Sequence, residues 1–388
     1  MEFNKHKGTR VEIDLDNLAF NIEQINNLIN EGTKIMAVVK ANGYGHGAID
    51  TSKVFLENGA DRLGVSLYQE AMELRKSDIK APILIFNYVP EDKYKKVIEN
   101  NLTLTIYNYE DALALSNKAE KMDKKVRVHL KVDTGMGRIG FLPNQKEIEK
   151  VIKISRLNYL EIEGIYSHFA AADESNKSFV KKQYDRFNWF IKKLNNNNIE
   201  IPIKHISNSA GIIDHPEYNL DMVRPGIILY GYYPSDYVNK ADISLKPAMT
   251  LKTNISFLKT LPKNASIGYN RTFITDKESR IATLPIGYAD GYYRVLSGKG
   301  EVFINGEKAP IVGSICMDQL MVDVTNIQDT NRLDEVVLFG YENNKYPRVE
   351  EISKLLGTSH YEVISIIGRR VPRIYLKGKI CNHKVNYV

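Results

Sequence analysis

The chain has 388 residues, 43% hydrophobic and 26% charged, an ordinary globular composition with enough length for two domains. Lys and Arg number 53 against 47 Asp and Glu, a formal charge of +6; with no basic cluster interleaved with aromatics, this argues against nucleic-acid binding and suits a small anionic ligand. Cys316 and Cys381 form no CxxC pair, which excludes a disulfide framework and a thiolate zinc site, and no apolar run makes a leader or a membrane span, so a cytoplasmic setting without membrane contact is expected.

Residues 1–10 read as a leading segment and a candidate partner of the C-terminal domain. A helix near Leu18–Ile29 follows, and then short β-branched runs alternate with amphipathic Lys/Glu-rich segments. Strands are predicted at Ile35–Lys40, Arg62–Ser66, Ile83–Asn87, Leu102–Ile106, Val126–Val132, Glu161–His168, Ile203–Ser207 and Met222–Ile228, with helices between most of them, such as Ala112–Lys121 and Asn176–Asn195. Eight strand–helix repeats over residues 11–240 predict an α/β fold, a (β/α)8 TIM barrel, with an open doubly wound sheet as the competitor. From about residue 241 the rhythm changes. Runs at Met249–Leu258, Arg280–Pro285, Lys299–Ile304, Ala309–Ile315 and Leu320–Val324, with one helix near Val349–Leu356, predict a mainly β C-terminal domain over 241–388.

The chemically capable groups fall mostly at the C-terminal ends of the predicted barrel strands, which form one face in a closed barrel. Lys40 ends the first strand, in VVKANGYGHG. Lys131 lies near the end of the fifth and Arg138 in the glycine-rich loop after it, KVDTGMGRIG. His168 ends the sixth, Asn208 and Ser209 end the seventh, and Arg224, Gly226 and Ile227 lie on the eighth. A serine hydroxyl, a glycine and free backbone N–H groups suit a phosphate dianion. An amine at one edge of the face and a phosphate cradle at the other match the two reactive ends of pyridoxal phosphate. Taken singly each residue is ordinary: a lysine at a strand end is usually a solvated cation, and a buried histidine is usually a hydrogen-bonded core residue. A metal reading fares poorly, because His46, His168, His205 and His215 lack HExxH-type spacing.

AVVKANGYGHG, KVDTGMGRIGF, HFAAADE, HISNSAG, RPGIILYG, LPIGYADGY, ICMDQLMVDVT and RRVPRIY resemble, in this order, the motifs of bacterial alanine racemases. The resemblance runs nearly end to end. It implies a pyridoxal 5'-phosphate enzyme that interconverts L- and D-alanine by two bases, supplies D-alanine for peptidoglycan, and works as a homodimer. Lys40 matches the lysine that carries the cofactor and serves the D-amino acid. Tyr269, in ASIGYNRTF, matches the tyrosine that serves the L-amino acid from the partner subunit. Tyr44, Ser209, Gly226 and Ile227 match phosphate contacts; Arg224 matches the arginine facing the pyridine nitrogen, with His168 behind it. Arg138 and the Met317 backbone match substrate-carboxylate contacts, Met317 again across the interface. Lys131 matches a lysine often found carbamylated, and Asp318 and Tyr288 match family active-site positions. Two departures bear on substrate choice: Arg369 stands where the family usually carries a phosphate-touching tyrosine at the gate, and Gly268 and Asn270 flank Tyr269 in place of the usual serine and glycine. A racemase of serine or a larger amino acid, a pyridoxal-phosphate decarboxylase and a vitamin B6 carrier remain the alternatives.

Overall fold

The computed structural model describes residues 8–387, and among them no helix is long and apolar enough to cross a membrane. The first strand, β1 (Arg10–Asp14), belongs not to the barrel but to the unit formed by residues 8–17, 44–47 and 247–387; residues 18–43 and 48–246 form the other unit. The expected barrel start at residue 11 therefore falls inside a strand of the C-terminal unit, where Val11 and Ile13 are fully buried. Of the leading segment, residues 1–7 lie outside the described residues, while the Gly8 N–H donates to Asn254 Oδ1 at 2.8 Å.

The larger unit is a parallel barrel. Its strands are β2 (Lys34–Val38), β3 (Arg62–Val65), β4 (Ile83–Ile85), β5 (Thr103–Ile106), β6 (Val126–Lys131), β7 (Leu160–Tyr166), β8 (Ile203–His205) and β9 (Met222–Val223). They pair in the order β8-β7-β6-β5-β4-β3-β2-β9. The two ends join through backbone bonds, Asp221 N–H to Lys204 O and Arg224 N–H to Ser207 O, each 3.1 Å, which rules out the open sheet. Met36, Leu84, Tyr166, Ile203 and Met222 fill part of the interior against Phe86. Gly64 makes room for that ring, since a Cβ there would lie 2.5 Å from Phe86 Cζ. Helices flank the strands at, among others, Leu15–Leu28, Tyr109–Glu120 and Ser178–Asn195. Asn108 caps the second of these by accepting the Asp111 N–H at 2.7 Å, satisfying one of the orphan donors of the first turn.

One strand is much shorter than expected. Met222–Ile228 is extended only at β9; Pro225 brings no N–H to a ladder, and Ile227–Tyr230 coils into a 3-10 turn that Gly231 ends at φ 91°. The apolar GIILY run signals burial, which both conformations satisfy.

The smaller unit is mainly β. Its seven-stranded sheet contains β1, β10 (Met249–Asn254), β15 (Glu301–Ile304), β16 (Glu307–Pro310), β18 (Glu335–Phe339), β19 (Arg373–Lys377) and β20 (Ile380–Val385), in the order β16-β15-β18-β10-β1-β19-β20. A three-stranded sheet pairs β11 (Phe257–Leu261), β14 (Ser279–Leu284) and β17 (Leu320–Asp323), and a ribbon pairs β12 (Ser266–Ile267) with β13 (Phe273–Ile274). The expected single strand Met249–Leu258 is thus two strands in different sheets, parted at Ile255–Ser256. Residues 44–47 are tied into this unit by Arg373 Nε–H to Gly45 O and Tyr375 O–H to His46 O, both 3.0 Å.

Candidate active site

Lys40 follows β2 directly, and the backbone after it is unusual. Ala41, Asn42, Gly43 and Tyr44 take φ of 52°, 54°, 61° and 50°, four consecutive left-handed residues. L-residues pay roughly 1–2 kcal/mol each for that conformation, so it persists only where the surroundings dictate it. Here Glu70 accepts the Ala41 N–H at 2.6 Å and, with its other oxygen, the Ser66 and Leu67 N–H groups at 2.8 and 3.0 Å. Asn42 Oδ1 accepts the Ala48 N–H at 3.1 Å, and Gly43 N–H reaches Val39 O at 2.9 Å. The half-buried Lys40 amine makes no hydrogen bond among the described residues. Burial first, and Arg138 second, hold its pKa below the usual lysine value, against an opposing pull from Glu70.

Across the barrel, Arg224 is only 4% exposed. Its Nη2 donates to Ser167 O at 2.7 Å and Ile206 O at 3.0 Å and lies 3.3 Å from His168 Nδ1; its Nη1 donates to His205 Nδ1 at 2.8 Å. Its Nε–H takes no partner among the described residues. Burial lowers its pKa to about 10, opposed by Tyr166. His168 is pushed well below its ordinary value by burial and then by Arg224, Arg138, Lys131 and Lys40, so it is neutral.

Lys131 is 2% exposed and donates to Val132 O at 2.7 Å. Burial and the charge of Arg224 bring its pKa to about 7. The loop after it is shaped by Asp133, whose Oδ1 accepts the Gly135 and Gly137 N–H groups at 3.0 and 3.1 Å. Gly140, at φ 133°, is required there because a Cβ would lie 2.5 Å from Asp133 N. The loop leaves Arg138 exposed. On the far side of the barrel mouth, Asn208 caps the helix Ser209–Asp214. Ser209 Oγ accepts the Gly226 N–H at 2.9 Å, which leaves the hydroxyl proton to donate elsewhere, beside the first N–H groups of the helix and that of Ile227.

The remaining expected site residues belong to the other unit. Tyr44 is buried there, with its phenol pKa raised by burial and its ring 6.2 Å from that of Tyr361. Tyr269 is 68% exposed on a 3-10 turn in which Gly268 and Asn270 take φ of 74° and 61°; asparagine tolerates that region, so the departure from the usual sequence keeps the turn. Met317 is 53% exposed, and its carbonyl accepts the Ala289 N–H at 3.0 Å. Tyr288 is exposed, with its N–H on Cys316 O at 3.1 Å, and Asp318 accepts from Arg370 at 2.7 Å. The Arg369 guanidinium is exposed and lies 5.2 Å from the centre of the Tyr387 ring.

Residues 13–234 match the alanine racemase N-terminal domain and residues 248–375 the C-terminal domain. The chain belongs to the alanine racemase family. It is 51% identical over 365 residues to the alanine racemase of Methanococcus maripaludis, covering 94% of this chain and 98% of that one. The solved alanine racemase of Clostridium difficile superposes with a TM-score of 0.95 at 41% identity, covering 99% of this chain and 100% of that one. The solved alanine racemase of Bartonella henselae, with covalently bound pyridoxal phosphate, superposes at 0.84 with 29% identity over 95% of this chain and 99% of that one. Alanine racemases are isomerases that use pyridoxal 5'-phosphate to interconvert L- and D-alanine, and this chain is one of that family.

The donor set fits the cofactor. A desolvated amine, an unspent Nε–H on a buried guanidinium and an unspent serine hydroxyl are the groups that an aldehyde, a ring nitrogen and a phosphate require. His129, Glu163, Arg62 and Glu70 went unnoticed in the sequence, although Arg127, His129 and Lys131 recur at every second position of a predicted strand, a polar stripe that marks one face. His205, weighed there as a metal ligand, spends both ring nitrogens on Arg224 and His129.

Proposed function

We propose that this chain interconverts L- and D-alanine at the C-terminal mouth of its barrel, with Lys40 and Tyr269 as the two bases. The observation that carries the reading is the desolvated, unpartnered Lys40 amine at a strand end fixed by a left-handed turn. Pyridoxal phosphate, when bound, supplies an aldehyde that ties covalently to amines and a ring that withdraws electrons from the substrate α-carbon. Lys40 Nζ would hold the cofactor at rest and exchange the α-proton of D-alanine; its lowered pKa makes a free amine accessible nearer neutrality. Tyr269 Oη would exchange the α-proton of L-alanine.

Arg224 would meet the ring nitrogen through its Nε–H as a donor only, which leaves that nitrogen unprotonated and moderates the electron withdrawal. Ser209, Gly226, Ile227 and Tyr44 would hold the phosphate, with Arg369 near it. Arg138 and the Met317 N–H would take the substrate carboxylate, Lys131 as a carbamate would hold Arg138, and Tyr288 and Asp318 would line the site. The exposure of Tyr269 and Met317, with Phe257 and Ile274 exposed on the same unit, supports a homodimer in which Tyr269 and Met317 serve the partner's barrel. D-alanine for peptidoglycan is the product this activity would supply.

The test is to incubate the protein with pyridoxal phosphate and L-alanine in deuterium oxide, then follow chirality by chromatography and deuterium at Cα by mass spectrometry. Both signals are expected, and both vanish in Lys40→Ala. Chirality unchanged with carbon dioxide released would replace the reading by decarboxylation; no deuterium uptake would leave a carrier.

A further inference from the structure

Arg224 opens a hydrogen-bonded line through the barrel interior. It donates to His205 Nδ1 at 2.8 Å; His205 Nε2 lies 2.9 Å from His129 Nδ1, and His129 Nε2 lies 3.2 Å from Glu163 Oε2. Arg62 clamps the same carboxylate with two bonds of 2.7 Å. Both imidazoles are fully buried. A β-bulge between Val128 and His129 sets Glu163 out of the regular alternation of β7. Consecutive residues therefore both face His129: the Glu163 carboxylate, and Gly164, where a Cβ would lie 2.5 Å from the ring.

The two ends of the line fix every proton in it. A guanidinium only donates, and an ionised carboxylate only accepts. Burial works to raise the Glu163 carboxyl pKa, but the bonds from His129 and Arg62 overcome it and keep the group ionised. His129 must then carry its proton on Nε2, facing Glu163, and leave Nδ1 to accept. His205 must donate from Nε2 and leave Nδ1 to accept from Arg224. A second proton on either ring would set two N–H groups against each other, and burial foremost keeps both rings neutral.

We propose that Glu163 is a positioning residue that fixes the tautomers of His129 and His205 and, through them, the orientation in which Arg224 presents its free donor. The inference deepens the role given to Arg224 above and rests on that reading for its effect on catalysis. Glu163 Oε2 accepts from both His129 and Arg62 Nη1, while Oε1 accepts from Arg62 Nη2. Glutamine at 163 would keep its oxygen at the Oε2 position and serve both, setting its NH2 group only against Arg62 Nη2, and replacing Arg62 as well removes that one clash. Methionine at 163 would instead leave the His129 Nε2–H without an acceptor, and Arg127, a donor 3.8 Å from Glu163, supplies none.

The experiment reads ring-nitrogen protonation by magnetic resonance of full-length, 15N-histidine-labelled protein, with signals assigned by single histidine replacements. The wild type is expected to carry Nε2–H on both His129 and His205. E163M/R62M, which leaves neither charge without its partner, is expected to lose the hydrogen-bonded Nε2–H signal of His129 and to lower kcat/KM by about tenfold or more, the loss expected for a hydrogen bond to a charged group. The conservative pair E163Q/R62M, which keeps an oxygen facing His129, is expected to hold the Nε2–H tautomers and most of the activity. Nδ1–H rings in the wild type, or ring signals and activity in E163M/R62M equal to those of E163Q/R62M, would overturn the proposal. Because the wild-type measurement needs no catalysis, racemisation that failed with the tautomers as expected would refute the function and leave the line standing.

Discussion

Raising pH or dissolved carbon dioxide should convert Lys131 to a carbamate in proportion to its free amine. Burial, then Arg224 and Arg138 against Asp133, bring its pKa from 10.5 to about 7. At pH 7 about half of the side chains are then neutral, against about one in three thousand for an ordinary lysine. The neutral nitrogen bonds to the carbon of carbon dioxide and releases one proton, so an anion replaces a cation whose neighbours include Arg224 and Arg138. The sign of the stability term follows from the same shift. Unmodified folded protein binds this proton less tightly than the unfolded chain does. It therefore bears the full cost of the buried ammonium below pH 7, on the order of 5 kcal/mol, and that cost fades as pH rises from 7 toward 10.5. The assay is 13C magnetic resonance in 13C-bicarbonate across neutral pH. A protein carbamate signal is expected to rise with a midpoint near pH 7 and to be missing in Lys131→Ala. No signal in the wild type, or one indifferent to pH, would refute the reasoning.

Tyr269→Phe should lower racemisation by about 10² to 10⁴-fold, the usual loss for one general acid or base, and suppress Cα deuterium exchange of L-alanine more than that of D-alanine. Mixing Lys40→Ala with Tyr269→Phe chains should then restore up to about a quarter of wild-type activity, because half of randomly formed dimers hold one site with both bases; no recovery on mixing would refute the contribution across an interface. Gly140→Ala should destabilise the protein by about 2–4 kcal/mol in urea unfolding, since it forces a side chain into a left-handed position 2.5 Å from Asp133 N. Displacing that loop should also raise KM for alanine through Arg138.

The barrel was legible because each strand is a short β-branched run bounded by turn residues, and seven of the eight expected strands lie within a few residues of their observed positions. The eighth misled because GIILY is equally apolar whether extended or coiled. In the C-terminal unit, β18, β19 and β20 escaped notice, as did the parting of β10 from β11, since sheet membership is a long-range property. Lys40, Arg224 and Ser209 could be placed because their motifs put them at strand ends. The left-handed turn after Lys40 could not: Asn42 and Gly43 are types that favour positive φ, but Ala41 and Tyr44 on either side of them are not, and nothing local announces four such residues in a row. Glu163 was hidden for a different reason, because a bulge shifts the alternation by one residue and no periodicity count registers it.

The place of β1 has a bearing on how this polypeptide can be divided. It sits between β10 and β19, so a fragment beginning at residue 247 would lack an inner rib of its largest sheet and gain two raw edges in its place. The same fragment would lose the carbonyls of Gly45 and His46 that anchor Arg373 and Tyr375. A contiguous cassette cut at residue 247 would therefore need the beginning of the chain rerouted to stand as a complete unit.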